Sequence, residues 1–314
     1  MARGRGLIVT IGVIALAGCA ADAPPPAAPP AVSTAAPAPT DPVNPALWVV
    51  RDADSTLYLF GTIHIRRPGA DWGSAAVREA LDGSETVWTE VDLDEGESDR
   101  QAAMLLAAGT SGVPTLLASV EPGRRDQLLA AAGELGIPEA QLDRMEPWLA
   151  ALLITVIPMT RAGYDPQAGI DEAVVAEARA QGKALAWLET PQRQIAMFDG
   201  LSPQLQLAFL YETLDGYADG PAAIGALEQA WERGDTESLD DEVVGAMAER
   251  YPELYAVLIT DRNRLWADRL ALILHGSGTD FVAVGAGHLV GEQSVPALLE
   301  AKGYKVERVG SPGV

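Results

Sequence analysis

The sequence predicts an α/β fold, with a central mixed and largely parallel β-sheet built from the two ends of the chain and a large helical insertion between them. Two observations carry this. A strand–GxxH–helix–strand unit occurs twice, near residues 56–91 and again near 280–309. Strands that alternate with helices imply βαβ crossovers and parallel neighbours. Between the units, residues 97–275 show helical periodicity punctuated by Gly and Pro breakers such as Pro114, Pro122, Gly136, Pro147, Pro191 and Pro252.

Along the chain, residues 47–50 and 56–60 are β-rich runs around Asp52-Ala53-Asp54-Ser55, which reads as strand, turn, strand. Gly61-Thr62-Ile63-His64 closes the second strand. Residues 71–81 have helical spacing and stop at Gly83, and residues 86–91 form a third strand. The acidic stretch that follows (Asp92, Asp94, Glu95, Glu97, Asp99) reads as a solvated loop, with calcium binding as the sharper alternative. Residues 148–159 are strongly apolar but fall short of the ~20 residues a membrane span needs, so a buried helix is expected. Residues 184–188 are a candidate strand of the same sheet. Residues 253–274 read as one long helix ended by His275, whose ring suits the negative end of the helix dipole. Residues 280–284 are a strand running into Gly285-Ala286-Gly287-His288, followed by a helix over 292–301 and a last strand over 304–309.

Composition narrows the function classes. The 314 residues carry 22 Lys and Arg against 44 Asp and Glu. That balance disfavours nucleic acid as a partner, because a phosphate backbone demands clustered cations. A single cysteine excludes a disulfide framework and any Cys-rich metal site. The cysteine has its own explanation. Arg3 and Arg5 precede an apolar run over 7–16, and Leu16-Ala17-Gly18-Cys19 looks like a lipobox, so residues 1–18 are expected to be a lipoprotein signal and Cys19 the lipidation site. A plain secretory signal is the alternative. Ala20 after the cysteine favours the outer membrane, at its periplasmic face. Loss of the leader takes the formal charge from −22 to −24. Residues 19–46 hold nine of the 22 prolines and form a spacer, able to hold a domain on the order of 80 Å from its anchor. The folded domain is then 47–314, with membrane contact through the lipid only.

The histidines carry the chemistry. A glycine three residues before a histidine at a strand end lets the backbone turn sharply and approach a ligand. In parallel sheets, ligands bind at the carboxyl ends of strands, where His64 and His288 both fall. Glu90 ends a third strand. Two imidazoles and a carboxylate make a common ligand shell for a catalytic divalent metal, although a short pattern like GxxH also arises by chance. On the helix ending at His275, Asn263 interrupts the apolar row Ile259, Trp266, Leu270, Ile273, and a buried amide needs a partner, either in a polar site or on a neighbouring loop. Arg262 and Arg264 beside Asp261 read equally as a surface salt-bridge face.

The segments Leu59-Phe60-Gly61-Thr62-Ile63-His64, Thr89-Glu90-Val91, Gly169-Ile170-Asp171, Leu188-Glu189-Thr190, Arg262-Asn263-Arg264 and Gly285-Ala286-Gly287-His288-Leu289-Val290-Gly291 together resemble the TraB/GumN family. That family is related to the Tiki metalloproteases and more distantly to erythromycin esterases and haem-binding ChaN proteins. The likeness spans residues 47–310 and implies a metal-dependent peptidase or amidase using Mn, Co or Zn. It implies His64, Glu90 and His288 as metal ligands or catalytic acid–base groups, and Asp171 and Glu189 as supporting carboxylates. Gly61 and Gly285 would support the two histidine turns, and Arg262 and Asn263 would meet the substrate or an oxyanion. The expected protein is a lipid-anchored envelope hydrolase acting on a peptide or a small amide or ester. The alternatives are a non-catalytic peptide- or haem-binding protein and a metal-independent, esterase-like hydrolase with His64 as base. The sequence leaves the substrate and the oligomeric state open.

Overall fold

The computed structural model describes residues 43–69, 71–93, 97–113 and 115–310. The signal segment, Cys19 and most of the proline spacer lie outside the described residues, as do Asp94 and Glu95 of the acidic stretch.

The sheet begins as a hairpin. Leu47–Arg51 (β1) pairs antiparallel with Ser55–Thr62 (β2), and the Asp52 carboxylate accepts the Asp54 and Ser55 backbone N–H groups to hold the turn. Ala75–Asp82 (α1) leads to Thr86–Thr89 (β3). The helical layer includes Pro147–Arg161 (α2) and Ile170–Ala180 (α3) ahead of Ala184–Trp187 (β4). Pro191–Asp199 (α4), Pro203–Gly216 (α5) and Gly220–Arg233 (α6) follow. Asp261–Leu274 (α7) precedes Gly278–Gly285 (β5), and Val295–Ala301 (α8) precedes Lys305–Arg308 (β6).

The six strands lie in the order β4-β3-β5-β2-β1-β6. β5 is parallel to both β2 and β3, β4 is parallel to β3, and β1 alone runs the other way. The sheet is therefore mixed, and both GxxH units enter it: β5 from the C-terminal unit slots between β2 and β3 of the N-terminal one. The candidate strand near 184 joins it as the β4 edge.

Period-2 alternation decides which helices cover which face. Leu57, Leu59, Val282 and Val284 face Trp266, Leu270 and Leu274 of α7 and Leu299 of α8. Phe60 and Phe281 point the other way into the helical layer, where Phe60 meets Trp231 of α6 at 6.1 Å. α2 is the buried centre of that layer, and its Trp148 continues a stack through Phe198 and Phe209. No helix of the described residues is long and apolar enough to cross a membrane.

Boundaries shift where side chains cap helix ends. α1 starts at Ala75 because Ser74 accepts the Val77 N–H, and α8 starts at Val295 because Ser294 accepts the Ala297 N–H. The acidic stretch ends in a helix, Glu97–Ala108. The long helix expected over 253–274 is interrupted: Ala256–Thr260 forms a wide π-helical turn directly ahead of α7. His275 caps the C-terminus of α7, as the sequence suggests.

Candidate functional site

The carboxyl ends of four adjacent parallel strands deliver four side chains to one point. His64 follows β2, His288 follows β5 in a single 3₁₀ turn, Glu90 follows β3, and Glu189 lies two residues beyond β4. The ladder between β3 and β4 continues past the strands, with Glu189 N–H donating to the Glu90 carbonyl at 2.8 Å, so both acids are held by backbone. α7 crosses this edge and supplies Arg262 and Asn263, and the N-terminus of α3 supplies Asp171. All seven are buried, none exposing more than 6% of its surface.

The glycines of the two motifs act reciprocally. A methyl group on Gly61 would lie 3.1 Å from the Ala286 Cα in the other motif. One on Gly285 would lie 3.1 Å from both Glu90 Oε1 and His64 Nε2. Neither has a positive φ, so close approach, rather than the sharp turn expected from sequence, is what requires glycine. Gly169 does the same for α3: a Cβ there would meet the His64 carbonyl at 2.9 Å and Asp171 Oδ1 at 2.8 Å. Gly285→Ala is accordingly expected to overpack the centre at a cost of ~1–3 kcal/mol, read as a fall in thermal midpoint. An unchanged midpoint would show that the centre has slack.

Glu90 is the hub. Its Oε1 accepts the Gly285 N–H at 2.7 Å and lies 3.6 Å from His64 Nε2 and 3.9 Å from His288 Nε2. Its Oε2 accepts from Arg262 Nη2 at 2.6 Å and from Gln194 of α4 at 3.4 Å. Burial would raise this carboxyl, but Arg262 and the two histidines hold it well below the usual carboxylate range. Arg262 also donates through Nε to both Glu189 oxygens, at 3.0 and 3.2 Å, and its guanidinium lies over the Trp266 ring. Trp266 in turn donates to Glu189 at 2.9 Å.

The two imidazoles are held differently. His288 Nδ1 meets Asn263 Oδ1 at 2.6 Å, and Asn263 Nδ2 donates to the Gln293 carbonyl at 2.8 Å. The second contact orients the amide, so Nδ1–H is the donor and the Nε2 lone pair faces inward, toward Arg262 Nη1 at 3.0 Å. Burial and the neighbouring guanidinium push His288 down to about 3, so it is neutral. For His64, burial alone would lower the pKa, but Asp171 and Glu90 on either side outweigh it and lift the value to about 10. His64 Nδ1 lies 3.2 Å from Asp171 Oδ1, close enough for an ion pair but not aligned as a hydrogen bond. Glu172, beside Asp171, is raised to about 7 by burial and by that neighbour's charge.

The structure thus brings together every residue read from sequence as part of the site: His64, Glu90, His288, Asp171, Glu189, Arg262, Asn263, Gly61 and Gly285. It separates the arginine pair, leaving Arg264 exposed with Asp261 while Arg262 is 4% exposed. Asn263 meets both of its expected fates, on the site and on a loop. Gln194 and Trp266 enter the site unannounced by spacing. The signal for Gln194 is its place one turn into a helix capped by Thr190, directly after Glu189.

Comparison with known proteins agrees with the motifs. The model of the TraB/PrgY/gumN family matches residues 46–308. YbaP of Escherichia coli (strain K12) is 25% identical over 255 residues, covering 81% of this chain and 92% of the relative, and YbaP of Shigella flexneri matches equally. A protein of Treponema pallidum (strain Nichols) is 22% identical over 267 residues, 79% of this chain and 78% of its own length. With the motifs gathered at one sheet edge and the match running from β1 to β6, the chain belongs to the TraB/PrgY/gumN family.

Proposed function

We propose that this protein is a metal-dependent hydrolase of peptide or related amide bonds, held in the bacterial envelope at the periplasmic face of the outer membrane by a lipid on Cys19. The observation that carries the reading is the approach of Glu90 Oε1 to the Nε2 atoms of His64 and His288, at 3.6 and 3.9 Å. Two imidazole nitrogens and a carboxylate are donor types that Mn, Co and Zn take, although among the described residues they do not stand as a metal-ligand group. The outer nitrogens support the same assignment: Asp171 faces His64 Nδ1 and Asn263 accepts from His288 Nδ1, the arrangement that orients histidine ligands. Charge supports it too. Glu90, Glu189 and Asp171 bring three formal negative charges against Arg262, and even a protonated His64 leaves one uncompensated. A divalent cation with neutral His64 balances the set.

In this reading His64, Glu90 and His288 would hold the ion, which would acidify a bound water and polarise a carbonyl. Asn263 fixes the tautomer of His288. Arg262 and the Gly285 N–H hold Glu90 in place, and Arg262 balances its charge. Gln194, half-buried, reaches Glu90 Oε2 from α4.

The haem-binding alternative fits less well. Haem ligation needs an imidazole open to a slot, whereas His64 and His288 are 4% and 2% exposed.

The test is cleavage of a peptide library by the full chain. Hydrolysis is expected with Mn²⁺ or Co²⁺, and its loss in EDTA, His64→Ala and His288→Ala. Equal peptide binding without products, with or without metal, would replace the enzyme by a binding protein. Cleavage that survives EDTA would remove the metal.

A further inference from the structure

A second concavity lies toward the β6 edge of the sheet, away from the buried centre. It is a cavity of about 390 Å³ between β1, β6, α8 and the short helix Thr236–Asp240, and it reaches the turn 289–291 that follows His288. Trp48, Leu289, Pro296 and Val306 give it apolar walls. Two opposite charges also line it, Asp240 and Arg308, and among the described residues neither forms an ion pair. Apolar walls with a few convergent polar groups are the usual make-up of a small-molecule site. We propose that this cavity binds a small zwitterion, an apolar α-amino acid, with Asp240 on its ammonium and Arg308 on its carboxylate. The proposal does not rest on the hydrolase reading, because the cavity shares none of the residues that make up the centre.

Both charges are held in place by the fold. Asp240 packs on Gly291, whose φ is +82°, and a Cβ there would lie 2.6 Å from Asp240 Oδ1, so the glycine makes room for the carboxylate. Burial, then Asp241 and Glu292, push this carboxyl up, and no cation opposes them. Arg308 is set opposite Trp48 by the pairing of β6 with β1. Its guanidinium lies over that ring at 5.0 Å and donates through Nη2 to the Gly234 carbonyl at 2.9 Å. Burial pushes it down, and no carboxylate lifts it. One cavity therefore holds a half-buried anion and a half-buried cation that do not neutralise each other. A partly buried charge without a counter-charge is costly, and a ligand carrying both charges relieves the two at once. Glu237 and Glu300, exposed on the same lining, add negative potential that favours the ammonium end. A simple cation would leave Arg308 unpaired. A simple anion would leave Asp240 unpaired and would face three carboxylates.

The experiment is titration of the full chain at neutral pH with L-valine, L-leucine and L-phenylalanine by isothermal titration calorimetry. At least one is expected to bind saturably. The matching amino alcohol, which lacks the carboxylate, and the matching deamino acid, which lacks the ammonium, are each expected to bind about 10- to 100-fold more weakly. That is the loss of one hydrogen bond involving charged groups. Asp240→Asn is expected to weaken the amino acid by a similar factor and to keep the wild-type thermal midpoint, since no hydrogen bond among the described residues depends on this carboxylate. Arg308→Gln repeats the test at the other end if it folds, and the two ligand derivatives decide without it. Saturable binding by none of the three amino acids overturns the proposal. An amino alcohol that binds as tightly as the amino acid removes Arg308, and a deamino acid that does so removes Asp240; either result ends the zwitterion assignment. Binding unchanged in Asp240→Asn places the ligand elsewhere on the chain. The hydrolase reading stands under each of these outcomes, because binding alone is read.

Discussion

Glu90→Gln is expected to lower turnover by at least ~10–100-fold, the loss for disturbing a metal's ligand environment, and to destabilise the fold by ~3–5 kcal/mol. Both effects come from the same arrangement. The carboxylate accepts from the Gly285 N–H with one oxygen and from Arg262 with the other, and both His64 and His288 lie within 4 Å of the first. An amide of the same size has one acceptor and one donor. Whichever way it is turned, its NH₂ faces another donor, either the guanidinium or the backbone N–H. The buried Arg262 keeps Glu189 but loses half of its compensation, and a partly unpaired buried charge is costly. Urea denaturation gives the loss of stability and peptide hydrolysis the loss of turnover. A Glu90→Gln variant with the wild-type midpoint and wild-type turnover would remove Glu90 from the centre.

In the metal-free protein, stability is expected to fall as pH rises from about 6.5 toward 10, by up to about 1.4 kcal/mol per pH unit from His64 alone. The sign follows from the raised pKa. Below about 6.5 folded and unfolded chains both hold the His64 proton. Above it the unfolded chain has lost the proton and the folded one keeps it to about 10, so each unit of pH favours unfolding. The groups facing His64 are Asp171 and Glu90, with Arg262, His288 and Glu172 behind them. Glu172, raised to about 7, gives up its folded-state proton in the lower part of this window and steepens the fall there. On the acid side two effects oppose each other. His288, held down to about 3, costs stability as pH drops below 6.5, while Glu172 gains it, so that limb is shallower until the unfolded chain begins to protonate Glu90, which the folded chain keeps ionised. Thermal midpoints of wild type and His64→Gln across this range check the claim. The alkaline slope should flatten in the variant, and parallel slopes would mean that His64 titrates normally.

Much of the site is legible before folding because strands place residues by simple rules. A histidine just past a strand and an acid at the end of the next must fall on the same sheet edge once the strands are parallel neighbours. His64, His288 and Glu90 are readable for that reason. Residues whose roles depend on a partner from another element are not. Nothing in the spacing of Arg262 and Arg264 says which one faces inward; the packing of α7 over the sheet decides it, burying Arg262 against two carboxylates and leaving Arg264 in solvent. Gln194 is invisible to spacing for the same reason, and spacing puts Trp266 on a buried row without showing that it reaches Glu189. The helix boundaries that differ by a few residues from the periodic pattern are those where Ser74 or Ser294 caps, since a short hydroxyl side chain outcompetes continued periodicity.

Local pattern is enough to specify the strand–GxxH–helix–strand units, the helical insertion and the types of group available for chemistry, because periodicity and residue type are properties of short stretches of chain. It took packing to insert β5 between β2 and β3, and to make each motif's glycine leave room for the other motif. Packing also set Arg262, rather than open space, against His288. Those are distances between elements far apart in the chain, set by how sheet and helices meet, and no local pattern encodes them.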